Sequence, residues 1–166
     1  MDSDAKQADR HARIFDRGTI GVQTSPIVIE IERGRVASFA QSIAETNPIY
    51  LDKSAAQAAG YPDVVAPVTF PIVINMLANE MLAKRGEKAL FQLIKADFRR
   101  LLHGEERYDY SGLIYVGDTV IVSGSVVGFE DKKGGQMELA TLRTTISHKE
   151  RGDLVSMTST AIHRLA

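Results

Sequence analysis

Residues 61–86 read YPDVVAPVTFPIVINMLANEMLAKRG, and the fold of the whole chain turns on how this stretch is read. Thr69 is of a type that caps helix N-termini, Pro71 suits a first helical turn, and Lys84, Arg85 and Gly86 are end signals. Between these marks Ile72, Val73, Ile74, Met76, Leu77, Met81 and Leu82 leave little polar face in the first two turns. A helix that is apolar nearly all round is enclosed by protein. The pattern predicts a central, buried helix.

Upstream, IVIEIE (27–32) alternates as a strand, and Val36, Phe39, Ala40 and Ile43 recur at helical spacing up to Ala44. Pro48 biases Asn47 away from helix, so the chain turns there. DKSAAQAAG (52–60) reads as a second short helix, with Asp52 as N-cap and Gly60 as its stop. Downstream, strands are expected at about 89–100, 107–115, 118–130, 136–148 and 154–164. Turn sequences VGD (116–118), DKKGG (131–135, holding Gly134 and Gly135) and KERGD (149–153) separate the last of them. The final three strands then form an antiparallel meander. Together these elements predict an α+β domain whose antiparallel sheet covers a helix. The polar residues 1–17 are expected to be a flexible tail, leaving 18–166 as a single domain.

Composition narrows the partners. The 166 residues are 44% hydrophobic, enough for a sizeable core, and 20 basic against 21 acidic residues give a net charge of −1. No global field draws such a chain to nucleic acid or to an anionic membrane, so a small, roughly neutral partner is expected. There is no cysteine, which removes thiolate nucleophiles and cysteine metal sites. No stretch approaches the roughly 18–20 apolar residues of a membrane span, and the N-terminus lacks the apolar run of a signal peptide. A cytoplasmic protein is expected.

Four short stretches carry more specific information: ETNPIY (45–50), LDKSAAQAAGY (51–61), APVTF (66–70) and LHGE (102–105). In this combination the chain resembles the MaoC-like hydratase/dehydratase family. The R-specific enoyl-CoA hydratases of that family carry an Asp-x-Asn-Pro-x-His loop, an acyl-pocket helix and an Ala-His-Gly-Met turn into the central helix. The spelling NPIY…AAGY…VAPVTF, with LHGE, is closer to the family's N-terminal dehydratase-like half. Such halves occur as the first repeat of two-repeat hydratases and as the non-catalytic subunit of mycobacterial-type (3R)-hydroxyacyl-ACP dehydratase heterodimers. The resemblance runs from about residue 18 to the C-terminus. It implies a hot-dog fold, a curved antiparallel sheet wrapped around a long central helix.

It also implies a chemistry. Hydrating a 2-enoyl thioester needs a base for the attacking water, a proton for C2, and donors for the enolate-like thioester oxygen. In active relatives a loop Asp and His hold the water. Here those catalytic positions fall on Glu45 and Tyr50, and a phenol is a poor base at neutral pH. The substrate-binding positions map to Asn47 and Pro48 of the loop and to Val68, Thr69 and Phe70 at the helix start. There a backbone N–H of Val68 or Thr69 can still meet the oxygen, because helix N-termini present unpaired donors. His103 is the remaining base by residue type, although a histidine at a turn beside Glu105 and Glu106 is more often surface. Asn47-Pro48 by itself also reads as a plain turn.

His11, His148 and His163 show no partner pattern, and no metal-ligand spacing occurs, so no metal is expected. Lys95, Arg99 and Arg100 are candidates to face phosphates, or simply solvated surface. No cofactor is implied beyond the CoA or phosphopantetheine that carries the substrate. The expected partners are an acyl-thioester and a second hot-dog chain, in a homodimer or in a heterodimer whose other subunit carries the intact Asp/His loop. Three functions remain open: such an acyl-binding subunit, a self-sufficient hydratase using Glu45, and a non-enzymatic acyl-CoA-binding module.

Overall fold

The structure is a computed structural model that describes residues 12–165. Alternation along the strands builds a single sheet. In Thr119–Lys132 the side chains of Val120, Val122 and Val126 are buried, and in Met137–His148 those of Ala140, Leu142, Thr144 and Ile146. Numbering Ile27–Glu30 as β1, Leu101–Tyr110 as β2, these two as β3 and β4, and Gly152–Arg164 as β5, the order is β1-β3-β4-β5-β2. Every neighbouring pair is antiparallel. The expected β3-β4-β5 meander is present, and β2 forms one edge.

Among the described residues four α-helices accompany the sheet: α1 Arg33–Ser42, α2 Lys53–Ala58, α3 Pro71–Lys84 and α4 Leu90–Leu93. Ile74, Ala78 and Leu82, four residues apart, bury one face of α3. They share a core with Ile27, Ile29, Val120, Val122 and Ile146, so the helix lies against the inner face of the sheet. It is not enclosed on all sides in the single chain: Met76 is 64% exposed, and Ile72, Val73 and Leu77 are half-buried. Thr69 is not its cap. Phe70 holds the N-cap position without a side-chain bond, and Pro71 brings no N–H, which leaves one fewer donor to satisfy.

Two other expectations are corrected. Residues 89–100 contain no strand. Gln92 Oε1 accepts the Ala89 N–H at 2.9 Å, Leu90 and Ile94 turn inward together, and Lys95 at φ 54° ends the turn. The apolar spacing of Leu90, Phe91, Leu93 and Ile94 fits both periods, and the short helix wins because i and i+4 share one buried side. The next strand correspondingly runs over 101–110 and not 107–115. LHGE is therefore inside β2 and not at a turn. Gly104 is the extra residue of a bulge between His103 and Glu105, and a Cβ there would stand 2.6 Å from Ile162 Cδ1.

Residues 1–11, with His11, lie outside the described residues. Residues 13–17, expected to belong to the tail, are held against the sheet. Glu138 Oε1 accepts the N–H groups of Ile14 and Phe15 at 2.8 and 3.0 Å, and Arg13 and Arg17 pair with Asp131. Phe15 stacks on His163 with centroids 4.0 Å apart. His163, which shows no partner in the sequence, is fully buried beside Glu138 and accepts the Asp97 N–H through Nε2 at 3.1 Å. A second core of Phe15, Leu90, Ile94, Val126, Ala140, Leu142 and Ala161 fills this end of the sheet. No helix among the described residues is long and apolar enough to cross a membrane.

Candidate functional site

The loop 45–50 is built by its own polar side chains. Ala44 takes φ 54° and the Glu45 N–H returns to the Ala40 carbonyl at 2.9 Å, which ends α1 and reverses the chain. Glu45 then folds its carboxylate back: Oε1 accepts the N–H groups of Thr46 and Asn47, both at 2.9 Å. Asn47 Oδ1 accepts the Ile49 N–H at 3.2 Å, starting a 3₁₀ turn over Pro48–Tyr50. Asp52 caps α2 through the Ala55 N–H at 2.7 Å, and Gly60 at φ 92° ends it, both as expected.

The loop is tied to the start of α3. The Val65 N–H donates to the Ile49 carbonyl at 3.1 Å and the Ala66 N–H to the Ile114 carbonyl at 2.8 Å. From β2, the Tyr110 hydroxyl donates to the Val68 carbonyl at 2.9 Å. Burial pushes the Tyr110 phenol up, with the neighbouring phenols of Tyr108 and Tyr50 acting in the same direction, so Tyr110 remains a donor. Among the described residues the N–H groups of Val68 and Thr69 have no acceptor, and both residues are exposed. Phe70 is buried beneath them, edge-to-face with Phe39 of α1 at 5.5 Å. Tyr110 escapes sequence reading because it stands in a strand, its only signal being the Tyr108/Tyr110 spacing of two.

Asp63 fastens this assembly. Its carboxylate meets Arg33 of α1 at 2.8 Å and Lys53 of α2 at 2.9 Å and accepts the Val64 N–H at 2.7 Å. Burial alone would raise its pKa, but Lys53, the Val64 N–H and Arg33 outweigh it and hold Asp63 at about 2. A carboxylate depressed when folded stabilises the fold above its unfolded pKa, and that contribution fades as pH falls through the folded value. Asp63→Asn is therefore expected to lower Tm at pH 7. The difference from wild type should shrink between pH 4 and about 2, as read by thermal melts in acid; a gap constant with pH would contradict this.

His103 stands apart. On β2 it is seven residues from Tyr110, roughly 20 Å along a strand, and its Nε2 lies 2.8 Å from Glu106 Oε2. Glu106 also accepts the Ser159 hydroxyl. The bulge at Gly104 lets residues 103 and 106 share a face. The structure does not bring His103 to the loop. Lys95 is paired with Asp16, and Arg99 with Asp97; His148 accepts the Glu150 N–H in a turn.

With this geometry in place, residues 18–157 match the family model described as FAS1-like, dehydratase domain region. The chain belongs to that family of dehydratase domains. A UPF0336 protein of Thermobifida fusca is 35% identical over 112 residues, covering 68% of this chain and 70% of the relative. By structure, the dehydratase domain is similar to the HadBC (3R-hydroxyacyl-ACP dehydratase) complex of Mycobacterium tuberculosis, at TM-score 0.71 and 16% identity over 90% of this chain and 99% of the other. A MaoC-like dehydratase gives 0.75 and 20% identity, covering 90% of this chain and 43% of its own. The five-stranded sheet with α3 against it is thus the hot-dog fold of the MaoC-like dehydratase domains.

Proposed function

We propose that this dehydratase domain is the acyl-binding subunit of an R-specific 2-enoyl-thioester hydratase, running equally as a (3R)-hydroxyacyl-thioester dehydratase, with the acid-base pair supplied by a partner. One observation carries the reading. At the helix start two N–H donors are open, while in the loop Glu45 Oε1 is engaged by two of its own loop's amides.

The chemistry separates into two tasks. The developing negative charge on the thioester oxygen is met by backbone donors, and those of Val68 and Thr69 are exposed with the favourable end of the α3 dipole behind them. Tyr110 steadies that corner by binding the Val68 carbonyl. Activating water is the other task, and it requires an available base. Glu45 Oε1 already accepts two hydrogen bonds, which favour a fixed carboxylate over one that turns to water, and Tyr50 is a phenol. Binding is retained and proton transfer is not.

A second hot-dog chain fits at β2. This ten-residue edge presents unpaired backbone groups of the kind that invite strand addition, and the structurally similar HadBC protein is a complex. The partner in this reading carries Asp-x-Asn-Pro-x-His.

The loop is tested by Glu45→Gln within the assembled pair. Glutamine keeps an acceptor oxygen for the Thr46 and Asn47 amides and removes the basic carboxylate. Turnover of crotonyl-CoA is expected to stay within about threefold of wild type; a loss of 10²-fold or more, the usual cost of deleting a general base, would assign the chemistry to this chain.

A further inference from the structure

We propose that Tyr110 is a positioning residue: its hydroxyl locks the Val68–Thr69 peptide against flipping and so aims the Thr69 N–H, and not the Val68 N–H, at the thioester oxygen. This rests on the acyl-thioester reading above and names which donor serves it and what holds that donor in place.

The approach to α3 is a β-turn over residues 67–70, closed by the Phe70 N–H on the Pro67 carbonyl at 2.8 Å. A second turn overlaps it, the Ile72 N–H donating to the Thr69 carbonyl at 3.2 Å. Between these closures lies the peptide that runs from the Val68 carbonyl to the Thr69 N–H. Among the described residues it has no main-chain bond at either end. What holds it is the Tyr110 hydroxyl, 2.9 Å from the Val68 oxygen.

The central peptide of a β-turn is the unit that separates type I from type II, and it turns over while the closing bond stays in place. Turning it over reverses both of its ends, because the C=O and N–H of a trans peptide point in opposite directions. A hydroxyl that holds the Val68 oxygen therefore also fixes the direction of the Thr69 N–H, on the side away from Tyr110. The Val68 N–H belongs to the preceding peptide, whose carbonyl closes the turn, and Tyr110 does not govern it. A hydrogen bond accepted at the carbonyl polarises the peptide as well and strengthens its N–H as a donor.

Two features oppose the flip. The first is local: type II asks for positive φ at the third turn residue, here Thr69, whose β-branched side chain resists that region. Among the described residues the non-glycine positions at positive φ are Ala44, Lys95 and Lys133, so Thr69 stands on the type I side. The second is Tyr110, which comes from a fixed element. It is paired with the buried Val155 of β5, and its ring packs against the main core. Strand addition at β2 uses backbone groups that run perpendicular to the side chains, so a partner at that edge does not compete for the hydroxyl.

The lock is read on the chain alone, by nitrogen relaxation dispersion of the backbone amides. Tyr110→Phe, which removes only the hydroxyl, should bring exchange at Thr69 that wild type lacks. Tyr110→Phe/Thr69→Gly, which also removes the local resistance, should move the Thr69 amide to a new resonance position. A Thr69 amide identical in wild type and Tyr110→Phe would overturn the proposal. The donor role is read in the assembled pair with crotonyl-CoA. There kcat should fall about tenfold in Tyr110→Phe and about 10²-fold in the double variant, the cost of losing one such donor. KM should stay within about twofold, the signature of an interaction made in the transition state. A raised KM at unchanged kcat would overturn the proposal by leaving Tyr110 a structural role, and so would an unchanged kcat and KM. If the double variant does not fold, Tyr110→Phe decides alone. An inactive pair would defeat the hydratase reading and the donor role with it, while the exchange at Thr69 would still decide the lock.

Discussion

Phe70→Ala is expected to lower the stability of the domain by about 3–5 kcal/mol, the usual cost of removing a buried phenylalanine. Phe70 is 1% exposed and is the N-cap residue of α3, so the cavity would open where the helix begins. Its ring meets Phe39 of α1 edge-to-face, and α1 leads into Glu45; the same substitution therefore loosens the contact between the start of α3 and α1. Domains of this size hold about 5–15 kcal/mol in total, and each kcal/mol shifts Tm by about 2–4 °C. A fall of roughly 6–20 °C is anticipated in a thermal melt, with Phe70→Leu giving a smaller one. A shift under about 3 °C for Phe70→Ala would mean that α3 is not seated by this ring.

Glu138→Ala should have an effect of similar size at the opposite end of the sheet. Glu138 and His163 are both 0% exposed, directly paired across β4 and β5. One carboxylate oxygen accepts the amides of Ile14 and Phe15 and faces His163 Nδ1 at 3.1 Å. The other has no hydrogen bond but lies 3.7 Å from Arg17. Removing one member of such a buried network strands the rest, typically at a cost of about 3–5 kcal/mol. Glu138→Gln retains an acceptor and should cost less. Hydrogen exchange gives the local signature: the Ile14 and Phe15 amides should lose protection before those of α3. If they remain protected in Glu138→Ala, the N-terminal segment is held by something other than this carboxylate.

The sequence made the meander legible because β3, β4 and β5 alternate cleanly and their turns carry Gly134 and Gly152 at positive φ. Asp52, Gly60 and the Asn47-Pro48 turn were legible for the same reason: each rests on chemistry within a few residues. What was illegible is long-range. Nothing near His163 in sequence announces Glu138, 25 residues away, or the Phe15 ring that covers it. Tyr110 reaches Val68 across 42 residues. The stretch 89–100 misleads because four apolar side chains fit a strand as well as a helical turn, and only the second core decides between them. At the candidate site, the resemblance alone proposes Glu45 and Tyr50 as the acid-base positions. That Glu45 caps its own loop could not be read, since the choice between facing inward and facing a ligand depends on the backbone reversal at Ala44.

The most direct measurement is the rate of crotonyl-CoA hydration by the purified chain alone and after assembly with a hot-dog subunit carrying Asp-x-Asn-Pro-x-His. With Glu45 committed to the Thr46 and Asn47 amides, the chain alone should show no turnover above the uncatalysed rate, and the pair should exceed the partner alone. Turnover by the chain alone, abolished in Glu45→Gln, would contradict the division of labour proposed for the two subunits.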